Sequence, residues 1–466
     1  MVDSTIPLTN ALKDRLATYE DIFRILTGGA DFPGAHPVII NGEMRGIRLG
    51  QDEPKTGQKS LCVIAGTHPN EPAGWETEKE VLGWWKGLST PDKAALPGDI
   101  YLMFGGEKTQ MKNCFHHLAS ADEISVENLT RYRATGNGIN RNRVPKHPLG
   151  PEPEAEEYKA VYRETEMLQS DYKALEEKVF AHCGLVLDIH SLSQAGEGMA
   201  LPHFSDWPDH SHPAYTIQQD AARERVAKLA SAMGARYILP DSSSHVPTHD
   251  LAGFSTPSSL RLLYECGGPH LAEATLDRGK WAAQAALHHL FPEQAQATDH
   301  HSAHLTIHGK PQYLFMPGQA NASFSAPGFL PQGFSGDETD WGRTLHLITG
   351  KDGETLPSSV LKALGEDYHR ITHDQLANGS TLLPGQPVGW IEKGDQTVIL
   401  RMPPGDRPYT VFMAPRTGNH TDSSYVLMFT SDKQEIDVSR IVAEPASFSE
   451  RYHSAARVAG RERAGL

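Results

Sequence analysis

Cysteine is scarce in this chain. Four occur in 466 residues, Cys62, Cys114, Cys183 and Cys266, and no two of them stand in a Cys-x-x-Cys pair. That spacing excludes a thiolate metal site or a disulfide framework as the organising principle, and it leads us to expect buried free thiols in a reducing, cytoplasmic setting. Long apolar runs are missing as well: no segment approaches the roughly 20 residues that a membrane span needs. Met1 to Lys13 shows no cationic start followed by an apolar core, so no secretion signal is expected there. Basic excess is absent too. With 58 acidic against 43 basic residues the net charge is −15, which argues against a surface built to bind nucleic-acid phosphates. No internal repeat or extended low-complexity run appears, and the length calls for two or three domains.

What is present is a set of apolar runs that end in chemistry. Cys62-Val63-Ile64-Ala65-Gly66-Thr67-His68-Pro69-Asn70-Glu71 carries a strand into a glycine, then places His68 and Glu71 three positions apart before a helix-like segment from Gly74. Open α/β sheets put their sites at the carboxyl ends of strands, which is where this pair falls. A catalytic zinc usually takes three protein ligands and keeps one position open, so the pair needs a third partner. Gly184-Leu185-Val186-Leu187-Asp188-Ile189-His190-Ser191 repeats the pattern and offers His190. Asp188 projects to the same side of that strand and is placed to orient the imidazole. Leu260-Arg261-Leu262-Leu263-Tyr264-Glu265-Cys266-Gly267-Gly268 brings Glu265 into a glycine pair, which suits a general base acting on a water beside a metal. Between these segments, Asn140 and Arg141 stand together in Gly138-Ile139-Asn140-Arg141. A fixed guanidinium near a metal suits a substrate with its own carboxylate.

These four segments, in this order, resemble the zinc carboxypeptidase superfamily, and within it the succinylglutamate desuccinylase and aspartoacylase branch. The branch has a His-x-x-Glu pair, an Asn-Arg pair, a later strand-end His and a catalytic Glu, matched here by His68, Glu71, Asn140, Arg141, His190 and Glu265. The resemblance covers residues 58 to 290 and implies one zinc per chain, held by His68, Glu71 and His190. It further implies that Glu265 serves as base and that Asn140 and Arg141 hold a substrate carboxylate. Arg133 stands seven residues before Asn140, where such proteins place an arginine, and there it would polarise the scissile carbonyl. Two departures bear on substrate identity. Gly138-Ile139 replaces the usual Asp-Leu ahead of Asn-Arg, and Gly105-Gly106-Glu107-Lys108 occupies the stretch where Asn-Pro is common.

The implied fold is α/β, a mixed twisted sheet with helices on both faces. We expect a zinc hydrolase domain over 1–298 with an N-terminal helical lead-in, then a smaller β-rich domain over 299–466. Leu8, Leu12, Leu16, Tyr19, Phe23 and Leu26 mark a helix within 5–27, and Trp75, Val81, Leu82 and Trp85 mark another after Gly74. Residues 113–130 are mixed in character. A long charged helix is expected over 154–180, with further helices over 215–233 and 281–290. His203, His210 and His212 lie in a Pro- and Asp-rich loop and read as solvated, and residues 242–259 form a loop that could close over a site. After residue 304, short apolar runs alternate with Gly and Pro turns.

The expected activity is hydrolysis of the amide bond of a small N-acyl amino acid or related compound. Two alternatives stay open: a metallocarboxypeptidase acting on short peptides, and a catalytically silent protein that uses the same pocket to bind a metabolite. The partner expected is a small molecule carrying a carboxylate, with no nucleic acid and no membrane. The C-terminal domain either narrows the pocket or builds a homo-oligomer interface.

Overall fold

The computed structural model describes residues 5–55, 59–125, 129, 131–137, 139, 151–192, 196–202, 224–238, 259–268, 270–296, 312–315, 345–347, 358–364, 381–393, 396–402, 408–413, 419–420, 428–430 and 432–435. The chain divides into two compact units, the larger including Thr5–Leu192 and Gly198–Gln312 and the smaller including Tyr313–Gln434.

In the larger unit the elements run β1 (Thr5–Pro7), α1 (Asn10–Leu26), β2 (Ala35–Ile40), β3 (Glu43–Leu49), β4 (Ser60–Ala65), α2 (Ala73–Gly87), α3 (Thr90–Ala95), β5 (Ile100–Phe104), α4 (Lys108–Ser120) and β6 (Glu123–Ser125). They continue with α5 (Glu156–Lys178), β7 (Cys183–His190), β8 (Gly198–Pro202), β9 (Ala235–Ile238), β10 (Leu260–Glu265), α6 (Glu273–Leu290) and α7 (Pro292–Gln296), with a further helical stretch over 224–232. The sheet includes, in this order, the strands β9-β8-β10-β7-β4-β5-β3-β2. Pairs β4/β5, β4/β7, β7/β10 and β8/β9 are parallel, while β8/β10, β3/β5 and β2/β3 are antiparallel. This is the mixed α/β sheet that the sequence leads one to expect.

Strands β4 and β7 lie side by side in mid-sheet and are buried at every residue. Strands covered on both faces read as unbroken apolar runs, which is why Leu61 to Ala65 and Leu185 to Leu187 carry no alternation. On one face Val38, Ile40, Cys62, Ile64, Tyr101, Met103 and Val186 form a core against Tyr172, Ala174 and Leu175 of α5. On the other, α2 and α6 pack against β4, β7 and each other. A glycine lets the two helices meet: a Cβ at Gly279 would lie 2.3 Å from the Ala73 carbonyl oxygen, and the Thr77 hydroxyl donates to the Gly279 carbonyl at 2.7 Å. Phe23 of α1 packs edge-on against Trp75 and Phe104 at centroid distances of 6.0 and 5.4 Å. Burying each such ring contributes on the order of 2 kcal/mol. All four cysteines are free and buried, and burial pushes the Cys114 thiol up to about 12.

Local pattern and structure part company in several places, and α6, expected over 281–290, already begins at Glu273. The helix expected within 5–27 begins only at Asn10, capped by the Thr9 hydroxyl, which accepts from the Leu12 amide at 3.3 Å. Thr5–Pro7 is instead a strand, paired antiparallel with β6 through Thr5 and Ser125. Residues 113–130 look mixed because they hold the end of α4 and then β6. In the smaller unit, antiparallel sheets of order β14-β13-β11-β16 and β12-β15-β17 are built from β11 (Leu345–Leu347), β12 (Thr381–Leu382), β13 (Pro387–Lys393), β14 (Gln396–Arg401), β15 (Tyr409–Met413), β16 (Asn419–His420) and β17 (Met428–Thr430). One helix, α8 (Ser358–Leu364), accompanies them. Among the described residues no helix is long and apolar enough to cross a membrane.

The turn out of β4 depends on Gly66. Its φ is 57°, and a Cβ there would meet Met111 Cε at 2.1 Å and Trp75 Cζ2 at 2.6 Å. Gly66→Ala is therefore expected to lower stability by about 2 kcal/mol or more, read as a lower urea midpoint at unchanged m. An unaltered midpoint would show that the turn does not need glycine.

Candidate metal centre

The site grows from the carboxyl ends of the two central strands. β4 ends at Ala65, the chain reverses at Gly66, and the Glu71 amide donates to the His68 carbonyl at 3.0 Å, folding the glutamate back beside the histidine. β7 ends at His190, and the next amide, Ser191 N–H, donates to Glu71 Oε2 at 3.2 Å. The backbone thus aims three side chains at one point. His68 Nδ1 lies 3.0 Å from Glu71 Oε1, His190 Nδ1 lies 2.8 Å from Glu71 Oε2, and the two Nδ1 atoms are 3.2 Å apart. All three residues are buried.

Two imidazole nitrogens 3.2 Å apart, each within 3.0 Å of a different oxygen of the same carboxylate, make a donor set that suits a metal. Tetrahedral bonds of about 2.0–2.2 Å put neighbouring ligand atoms about 3.3–3.6 Å apart, and one ligand atom from each residue falls within 4.8 Å of the other two. His68, Glu71 and His190 are the group of His, Cys, Asp and Glu side chains among the described residues that could hold such an ion. On the other side of the ring, His190 Nε2 lies 3.1 Å from Asp188 Oδ1, and the Thr67 hydroxyl donates to the same oxygen at 2.9 Å. A carboxylate behind a ligating histidine fixes the ring and strengthens it as a donor. Thr67 escaped the sequence analysis because a hydroxyl in a turn has no pattern that betrays a partner 121 residues away.

Arg133 joins the cluster directly, its guanidinium in close contact with Glu71 Oε1. The loop that carries it is pinned where the Gly136 amide donates to Glu107 Oε2 at 3.1 Å and the Thr135 amide to the Ile139 carbonyl at 3.0 Å. Glu265 is the register partner of His190 across the parallel β7/β10 pair. Neighbouring strands lie about 4.8 Å apart, so the carboxylate and the imidazole leave the sheet side by side. Asn140 and Arg141 lie outside the described residues, as do His203, His210 and His212.

Charge sets the protonation of the three. Burial raises the Glu71 carboxyl, but His68, Arg133 and His190 outweigh it and hold the group well below the usual carboxylate range. Burial lowers His190, yet Asp188 and Glu71 reverse this and hold it well above an ordinary histidine. Burial and the Arg133 guanidinium bring His68 down to about 4 against the pull of Glu71, so at neutral pH its ring is uncharged and ready to donate a lone pair. Taking up a metal would require His190 to release its proton, which makes affinity rise with pH.

No family model and no curated protein matches the chain. Solved structures do match, several of them named as succinylglutamate desuccinylase/aspartoacylase proteins. One, a succinylglutamate desuccinylase/aspartoacylase from Rhodobacter sphaeroides, is 13% identical, with 85% of this chain and 94% of that chain covered at a TM-score of 0.43. A second, succinylglutamate desuccinylase from Vibrio cholerae, is 12% identical over 86% and 94% of the two chains at 0.43. A third, an ectoine utilization protein from Ruegeria pomeroyi, is 12% identical over 86% and 93% at 0.41.

The electrostatics carry a signed expectation. Arg133→Met removes a charge that depresses both His68 and Glu71, so in metal-free protein the His68 pKa should rise from about 4 toward its ordinary value. A histidine ring titration by NMR checks this, and a His68 value unmoved by the substitution would separate Arg133 from the cluster.

Proposed function

We propose that the chain is a zinc-dependent amidohydrolase that cleaves the amide bond of a small N-acyl amino acid or related compound. The observation that carries this reading is the convergence of His68, Glu71 and His190 within 4.8 Å of one another at the ends of β4 and β7. In this reading one zinc per chain is held by those three, and when bound it supplies Lewis acidity toward a carbonyl and lowers the pKa of a water. Asp188 keeps the His190 ring in place. Glu265, next to His190 on β10, takes a proton from the attacking water and passes it to the departing amine. Arg133 stabilises negative charge as it develops on the carbonyl oxygen, an effect that costs least when the guanidinium is already fixed by a neighbour such as Glu71.

Asn140 and Arg141 are assigned, from the motif they match, to a carboxylate on the substrate. The same reading makes the partner a small anionic molecule rather than nucleic acid or membrane, and the setting cytoplasmic. A more open cleft around the same groups would act on peptide C-termini, and hydrolysis rates on N-acyl amino acids against short peptides decide between the two.

Metal analysis and two substitutions test the assignment. His68→Ala should lose stoichiometric zinc, whereas Glu265→Gln should keep it and lose activity by roughly 10²–10⁴-fold. Full zinc occupancy in the first variant, or wild-type turnover in the second, would sink the corresponding role. A purified protein with neither zinc nor chelator-sensitive activity would instead favour a silent binding protein.

A further inference from the structure

A second buried constellation lies behind the three proposed ligands and serves none of the roles assigned so far. His270, on the segment that follows β10, is 1% exposed, and its ring reaches two residues at once. Nδ1 lies 2.9 Å from Ser191 Oγ and Nε2 lies 3.2 Å from Asn70 Nδ2. Both contacts fall immediately beside proposed ligands, because Asn70 precedes Glu71 and Ser191 follows His190. Both neighbours are buried to 1%. The same segment is stitched to the end of β7 through its backbone: the Cys266 amide donates to the His190 carbonyl at 2.9 Å, and the Leu192 amide to the Gly267 carbonyl at 2.8 Å. His270 is therefore the side chain that joins the Glu71 loop, the His190 strand end and the chain leaving Glu265.

The Ser191–His270 contact has the look of a nucleophile with its base, but the hydrogen-bond roles speak against that. With the Asn70 amide nitrogen donating to Nε2, a neutral ring carries its proton on Nδ1 and donates it to Ser191 Oγ. A ring that donates to the hydroxyl does not activate it. What the arrangement does is fix spacing. Two ligands on separate elements hold an ion tightly only if their separation is set beforehand, and buried hydrogen bonds to the flanking residues set it here.

We propose that His270 is a positioning residue, a staple between Asn70 and Ser191 that holds Glu71 and His190 at metal-binding distance. The inference rests on the zinc reading of the site. It is tested on the full chain by zinc affinity, measured in competition with a chromophoric chelator, and by the melting temperature of the metal-free protein. His270→Phe keeps a ring of similar size and deletes both hydrogen bonds. It should weaken zinc binding about 10-fold or more, the scale seen when the outer partners of metal ligands are removed. Ser191→Ala should weaken it in the same direction, the double variant should lose no more than His270→Phe alone, and His270→Asn, which returns a donor near Nδ1, should recover part of the loss. A merely structural histidine would lower the melting temperature of these variants and leave zinc affinity at the wild-type value, and that result overturns the proposal. If His270→Phe does not fold, unchanged affinity in Ser191→Ala overturns it equally. Wild-type protein with no affinity for zinc would bring down the zinc reading and the staple together, while zinc held equally by wild type and His270→Phe would bring down the staple alone.

Discussion

The constraint on which the rest of this structure depends is the burial of several ionisable groups at one spot, the carboxyl ends of β4 and β7. An isolated charge withdrawn from water costs many kcal/mol, so such a cluster survives only if its members compensate one another. Here Glu71 meets the guanidinium of Arg133, and Glu71 and Asp188 lie against the His190 imidazole and raise its pKa, while burial and Arg133 lower that of His68. Each member accounts for the protonation of another. A substitution at any one of them acts on the rest, which is why the effects of changes within the cluster should not add.

That cluster sits on an unusual loop. Connections between elements usually run over the surface, because buried backbone must find hydrogen bonds. Residues 66–72 are buried nonetheless, and their neighbours supply the bonds: Gly105 N–H to the Ala65 carbonyl, Glu71 N–H to His68 and Trp75 N–H to Pro72, at about 3.0 Å each. Burial this close also needs small residues. A Cβ at Gly106 would lie 2.4 Å from the Gly66 carbonyl oxygen, and one at Gly74 would lie 2.9 Å from Ala65 Cβ. Packing of α2 onto β4 and of α6 onto α2 thus leaves the ligand loop little freedom, and that rigidity is what a preformed metal site requires.

How much of this could be read in advance follows from the range of each interaction. The central strands were legible because burial on both faces writes an unbroken apolar run, and His68, Glu71 and His190 were legible because each stands just past the end of such a run. The Asp188–His190 relation was legible through the two-residue strand period. Arg133 was placed only by its distance from a motif, and the structure brings it to Glu71, 62 residues away. Thr67, Ser191 and His270 were not read at all: their roles consist of single hydrogen bonds to residues distant in sequence, and a lone histidine in Gly267-Gly268-Pro269-His270 carries no periodicity. Strand β1 was missed for the same reason, since its partner β6 lies more than a hundred residues further on.

The overall charge of −15 looks at first like an obstacle to the anionic substrate proposed above. It is a weak one. At physiological ionic strength the field of surface carboxylates decays over about 8 Å, so the acidic exterior affects the approach of a small anion more than its binding. Inside, Arg133 is partly buried and paired with Glu71, and the low dielectric around it makes each such charge count for more than an exposed one. Under the proposed reading, affinity for a carboxylate is then decided by Arg133 and the groups it meets more than by the acidic surface.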